Sequence, residues 1–325
     1  MHKLLGCEPM LKFFGWLPVE KLASWRAHCN VGLIALVALA GCGGGSAPEK
    51  LSFDEQVRRA ARQSSPDLRA RELIRIAGEQ FQAKDNAGAM QTLKLARQAA
   101  DEVGDLATRA GVYCAGAEAL ARAGQSSTAG EFIRAAAAAA EKIEDLESRA
   151  RQFARVAQAQ ARLSPDDAQA TLQQTEKLAE GIPDVYGRVL VLALVGRSYD
   201  MLGRSEEGQR VFTAALLLAG SIEEAQRRTM ALAEVALQQA MAKRQEESQK
   251  TFEQALQQSE QVKPALARVH AMANVAEKLS RAGSPARAHQ LLIQAEKLAA
   301  SIPQPDAQNE ALLLVRSLMA KLPPQ

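Results

Sequence analysis

Between residues 66 and 305, apolar and small residues recur at offsets of three, four and seven, the period of a helical face and not of a strand. The pattern also repeats on a longer scale. Arg69, Arg109, Arg149, Arg188, Arg228 and Arg268 stand 40 residues apart, apart from one step of 39. Eight residues after each comes a small side chain: Ala77, Ala117, Ala157, Gly196, Ala236 or Ala276. Further on lie a second small column (Ala89, Ala129, Ala168, Gly208, Ser248, Ala288) and, four residues later, a bulky one (Leu93, Ile133, Leu172, Phe212, Phe252, Leu292). Val103, Ile143, Ile182, Ile222, Val262 and Ile302 close the register. Each unit therefore reads as two amphipathic helices, with small columns letting backbones approach and bulky columns filling the space between. The fold class that follows is all-α, an α-solenoid of about six helical hairpins.

The punctuation agrees with that reading. Gly124, Gly203 and Gly283 fall between the two helices of a unit, where glycine permits the positive φ of a helix end; Lys84, Leu163 and Lys243 hold the equivalent place. Ser164-Pro165 and Ser284-Pro285 open second helices. Acidic pairs such as Asp166-Asp167, Glu206-Glu207 and Glu246-Glu247 sit in first turns, where they offset the helix dipole. Four arginines of the repeating column follow a carboxylate by four residues (Asp105, Asp145, Asp184 and Glu224), which predicts local ion pairs. Ser52-x-x-Glu55 forms a capping box ahead of a short helix that would cover the first unit. At the other end Leu312 and Val315 repeat the first-helix pattern, but Arg316 occupies the small-residue column, as suits a last, solvent-facing helix.

The succession small, turn, small, bulky, small resembles the tetratricopeptide repeat, with a period about six residues longer than the family's. The resemblance covers residues 66–305. It implies a concave groove lined by five positions of each first helix. Placed on this chain, those positions give Arg71, Arg122, Arg151, Arg162, Arg197 and Arg281 as candidate binding residues, interspersed with Glu118, Asp200 and Glu277. Phe81 is the one aromatic among them. The family's clamp for a terminal carboxylate is absent, because Cys114, Ala154, Ala193, Ala233 and Ala273 fill the place of its lysine.

Ahead of the repeats, Lys12, Lys21 and Arg26 precede the apolar run from Val31 to Ala40, which is too short to span a bilayer core needing about 20 residues. The run ends in Leu39-Ala40-Gly41-Cys42, which resembles the lipobox of bacterial lipoproteins. That resemblance implies acylation of Cys42, with a diacylglyceryl thioether and an N-acyl chain, and membrane anchoring of an exported protein. Gly43 in place of Asp leans towards the outer membrane in a Gram-negative cell. The expected organisation is a signal peptide at 1–41, a flexible Gly-rich tether at 42–52, a capping helix at 53–65, repeats at 66–305, and a capping helix and tail at 306–325.

Composition narrows the chemistry. The 325 residues are 47% hydrophobic but only 4% aromatic, so alanine and leucine carry the core. A net charge of +3, from 40 basic and 37 acidic residues, argues against nucleic acid as a partner. Outside the leader the histidines are His270 and His289, with no ligand cluster at metal spacing, so neither a metal nor another cofactor is expected. No nucleophile constellation or phosphate loop stands out, and a non-catalytic role is expected. The expected function is a lipid-anchored envelope scaffold or adaptor holding a protein or peptide. The alternative is an accessory lipoprotein that binds peptidoglycan or polysaccharide, or assists an envelope enzyme; the aromatic residues form no ladder of the kind sugar binding would use.

Overall fold

The computed structural model describes residues 51–322, and among them it is helical throughout, with no strand. A short helix α1 (Phe53–Ala61) precedes six hairpins. These are α2 (Pro66–Gln82) with α3 (Asn86–Asp101), α4 (Leu106–Arg122) with α5 (Ser126–Glu141), and α6 (Leu146–Gln160) with α7 (Pro165–Glu180). They continue with α8 (Val185–Met201) and α9 (Ser205–Gly220), α10 (Ala225–Met241) and α11 (Gln245–Ser259), and α12 (Ala265–Arg281) and α13 (Pro285–Ala300). A lone α14 (Pro305–Met319) ends the stack. The expected α-solenoid is thus observed, with a helix at each end. Cys42 and the segment before it lie outside the described residues.

The starts of α4, α6 and α8 are fixed by side-chain caps. Asp105 accepts the N–H of Thr108 at 2.7 Å, Asp145 that of Ser148 at 2.7 Å and Asp184 that of Gly187 at 3.0 Å. Each such cap is worth about 1 kcal/mol. This corrects the ion pairs expected between these carboxylates and the arginine column, because a carboxylate turned onto its own helix end faces away from the arginine four residues on. The arginines reach backwards instead. Arg109 donates through Nε and Nη2 to the Val103 carbonyl at 2.8 and 2.6 Å, Arg149 to Ile143 at 2.6 Å and Arg188 to Ile182 at 2.7 Å. Arg109, Arg149 and Arg188 therefore tie α4, α6 and α8 to the end of the preceding second helix through charge-assisted bonds.

Within hairpins, Gly124, Gly203 and Gly283 adopt φ of 75°, 75° and 84°, and Lys84 and Lys243 reach 64° and 65°. The following N–H bonds the carbonyl five residues back, as in Gln125 to Leu120 and Ser284 to Leu279 at 2.9 Å. Leu163 breaks the series. The one-residue shortening of the repeat falls between Val156 and Ala168, so no residue is left to take the left-handed position. Ser164 N–H bonds Gln160 four residues back instead, at 2.9 Å, and α6 has 15 residues where the other first helices have 17.

Small columns and rings interlock as the pattern requires. A Cβ on Gly116 would lie 2.5 Å from the Phe132 ring, and one on Gly196 would lie 3.1 Å from Phe212. Phe132 in turn meets Tyr113 edge to face, with centroids 5.5 Å apart. First helices of neighbouring units pack closely on one another, as α8, α10 and α12 do, whereas second helices of neighbouring units stand apart. The stack consequently curves with first helices on the inside. At its ends, Ser52 and Glu55 form the expected capping box, and Arg316 pairs with Glu296 at 2.9 Å on the outer side of α14.

Candidate functional site

The C-terminal halves of α4, α6 and α8 converge on the inner face. They enclose a concavity of about 250 Å³ lined by Arg122, Arg162, Arg197, Glu118, Gln158 and Met201. Three of the six arginines expected in a groove are therefore brought together. Helix spacing explains part of it: Glu118 and Arg122 are four apart, as are Arg197 and Met201, so each of these pairs shares a face, while Arg162 lies in the turn that follows α6.

The cations differ in how they are held. Arg122 donates Nε to the Glu118 carbonyl at 3.2 Å, and its charge has no carboxylate partner among the described residues. Arg162 has no side-chain bond among them. Arg197 is half-buried and donates Nη1 to Gln238 Oε1 at 3.2 Å. Burial, with Arg281 nearby, lowers the pKa of its guanidinium against the opposing pull of Glu118 and Glu234. The floor is pinned by Gln158 Nε2 donating to Ser198 Oγ at 2.8 Å, which joins α6 to α8. Three guanidiniums beside one loose carboxylate leave this surface net positive.

A wider hollow of about 530 Å³ adjoins it between α2 and α4, and Arg122 borders both. Its walls combine Ile74, Gly78, Phe81 and Ala119 with the polar side chains of Arg75, Glu79 and Gln82, so a partly apolar compartment leads into the basic one. Phe81 was placed there by the repeat resemblance, while Ile74 and Gly78 were not singled out. Their signal is their shared face with Phe81 at offsets of seven and three.

Further along, the inner face is closed at α10. Leu237, which stands where Glu118 and Arg197 stand in their units, is fully buried. Glu234 and Lys278 pair across α10 and α12 at 2.7 Å, and both are largely buried. Burial raises the Glu234 carboxyl, but Lys278, Gln238 and Arg281 outweigh it and hold its pKa below the usual carboxylate range. A depressed carboxylate stabilises the fold above its unfolded pKa of about 4.3, and that contribution is lost as pH falls through the lower folded value. Acid titration of the wild type should therefore show a loss of stability below about pH 4 that shrinks in Glu234→Gln, measured by urea midpoints at each pH.

The remaining candidates fall apart from this site. Arg71 is exposed near the start of α2, and Arg151 is engaged by Glu147 at 2.5 Å. Arg281 lies near enough to Arg197 to influence its charge but does not line the concavity. Asp200 belongs to a mostly buried pair with Arg244, and so is not free groove surface. Cys114 is buried, which pushes its thiol up to about 12 and leaves it protonated and unreactive. Among the described residues no group of His, Cys, Asp and Glu could hold a metal ion, and no helix is long and apolar enough to cross a membrane.

Fold and surface together define a helical-repeat protein of the α-solenoid class. No family model matches the sequence, and no curated protein matches it. Among solved structures it is similar to Ton1535 from Thermococcus onnurineus NA1, at 15% identity over 81% of this chain and 94% of that one, with a TM-score of 0.38. BtubC (BKLC) from P. vanneervenii matches at 13% identity over 85% and 95%, with a TM-score of 0.36. A Rap protein complexed with competence and sporulation factor matches at 12% over 83% and 80%, with a TM-score of 0.35.

Proposed function

We propose that this chain is a non-catalytic adaptor of the tetratricopeptide-repeat type, exported, anchored by lipid at Cys42, and holding an acidic segment of an envelope protein against its inner face. The observation that carries the reading is the basic concavity of α4, α6 and α8, in which Arg122 and Arg162 have no carboxylate partner among the described residues and a partly apolar hollow lies alongside. Arginine is suited to such a task, since its planar fork pairs two ways with a carboxylate. An acidic residue would meet Arg162 while a neighbouring apolar side chain rests on Phe81. The lipid anchor rests on Leu39 to Cys42, and two or more acyl chains would hold the protein durably at a membrane. The missing aspartate after Cys42 favours the periplasmic face of an outer membrane.

Crosslinked pull-down from envelopes tests the groove. Replacing Arg122 and Arg162 with Glu should abolish capture of the partner recovered by the wild type. Capture insensitive to that double reversal would move the contact to another face. In parallel, Cys42→Ala should release the protein from membranes; unchanged partitioning with an unmodified cysteine mass would remove the anchor.

A further inference from the structure

A repeat supplies its own control, because a feature shared by all units serves the stack and a feature confined to one unit calls for another cause. The last hairpin carries such a feature on the outer side of the solenoid. Where second helices stand apart, α11 and α13 leave a groove floored by α12, with a volume of about 350 Å³. That lies within the range of about 300–1,000 Å³ usual for ligand sites.

Its lining departs from the repeat in two ways and from the preceding unit in a third. Arg287 stands where the three preceding units have Asp167, Glu207 and Glu247, so the charge at the first turn of the second helix is reversed. Leu279 and Leu291 replace Gln239 and Thr251, which hydrogen-bond one another at 2.8 Å in the unit before. Arg268 has also lost its place. Arg109, Arg149 and Arg188 bond backbone carbonyls, and Arg228 reaches Gln261 at 3.5 Å, whereas Arg268 has no side-chain hydrogen bond among the described residues. Its Nε is buried without an acceptor, as are those of Arg188 and Arg228, so what sets Arg268 apart is that its terminal nitrogens find no acceptor either among the described residues. A buried donor left unpaired costs about 1–3 kcal/mol, which an incoming acceptor would recover.

The groove is thus basic towards both ends and apolar between them, since Leu256, Met272, Leu279 and Leu291 lie between Arg268 and Arg287. Along α12, Arg268 and Leu279 are about 16 Å apart at the helical rise of 1.5 Å per residue. Gln290 and Gln294 line the same groove and offer side-chain amides. Glu260 also lines the groove, and Glu253 forms a long, exposed ion pair with Arg287 at 3.8 Å that an incoming carboxylate would have to displace.

We propose that this outer groove is a second binding site, distinct from the inner face, for an extended polypeptide segment with an apolar side chain between two acidic ones. The apolar residue rests on Met272 and Leu291, the carboxylates meet Arg268 and Arg287, and the glutamine amides take up the segment's backbone groups.

The probe is an acetylated, fluorescein-labelled peptide Asp-Gly-Leu-Gly-Asp, titrated by anisotropy against the full chain. Arg287→Glu restores the charge that the preceding units carry, so it endangers the fold little. In a protein whose inner face is silenced by Arg122→Glu and Arg162→Glu, it should weaken binding at least tenfold. The methyl signal of Met272 should shift on peptide addition in the wild type and stay still in Arg287→Glu. Absent peptide binding, binding unaffected by Arg287→Glu, or a Met272 shift produced equally by inorganic phosphate alone would overturn the proposal.

Discussion

Phe212→Ala should lower stability by about 3–5 kcal/mol, the cost of emptying a fully buried aromatic site. The ring has no exposed surface, lies against Gly196 so closely that a Cβ there would meet it at 3.1 Å, and carries the Arg244 guanidinium 5.8 Å above its centroid. Because Gly196 and its neighbours are helix backbone, the space cannot close without moving α8 against α9. In a solenoid each unit rests on its neighbours, so the loss should concentrate in α8 to α11. Urea unfolding gives the magnitude, and hydrogen exchange gives its location. A loss below about 1 kcal/mol, less than the lowest value usual for such a truncation, would contradict the interlocking of rings with small columns.

The second large effect is expected from Asp200→Ala, at about 2–3 kcal/mol. Arg244 donates Nε and Nη2 to the two Asp200 oxygens at 2.7 Å each, and Nη2 also to the Ser205 carbonyl at 2.6 Å. Side-chain exposures of 8% for Asp200 and 14% for Arg244 leave little water to replace the lost partner. The pair joins the end of α8 to the residue that precedes α11, so it fixes the angle between two units. In a double-mutant cycle with Arg244→Met, the double variant should be more stable than the sum of the single losses predicts. Strict additivity would show that the two side chains do not act together.

Much of the fold was legible because its determinants are local and repeated. Six arginines in register, small columns at fixed offsets and glycines between helices each report one backbone requirement, and the six units repeat it. The turn at Leu163 was harder to read, since its glycine-like place looked occupied; only the missing residue between Val156 and Ala168 reveals that no left-handed position remains. The carboxylate–arginine spacing misled because two good uses of an aspartate compete at a helix start, and the backbone N–H lies nearer than the guanidinium.

The candidate site was legible in part. Position within the repeat placed Arg122, Arg162 and Arg197 on one face, and the structure joins them. It did not reveal that Leu237 and the Glu234–Lys278 pair would close the inner surface further along. That closure depends on how tightly successive first helices nest, which no single unit's sequence contains. Arg151 and Asp200 left the groove for a similar reason, because partners one turn or one unit away claim them.

The central expectation is that the inner face holds the partner. A photoactivatable amino acid placed at Gln158, between Arg122 and Arg162, should form a covalent adduct with a protein of the cell envelope on illumination of living cells. The same residue at Lys94 on α3 or Glu131 on α5 should form none. Adducts from Lys94 or Glu131 with none from Gln158 would contradict the account.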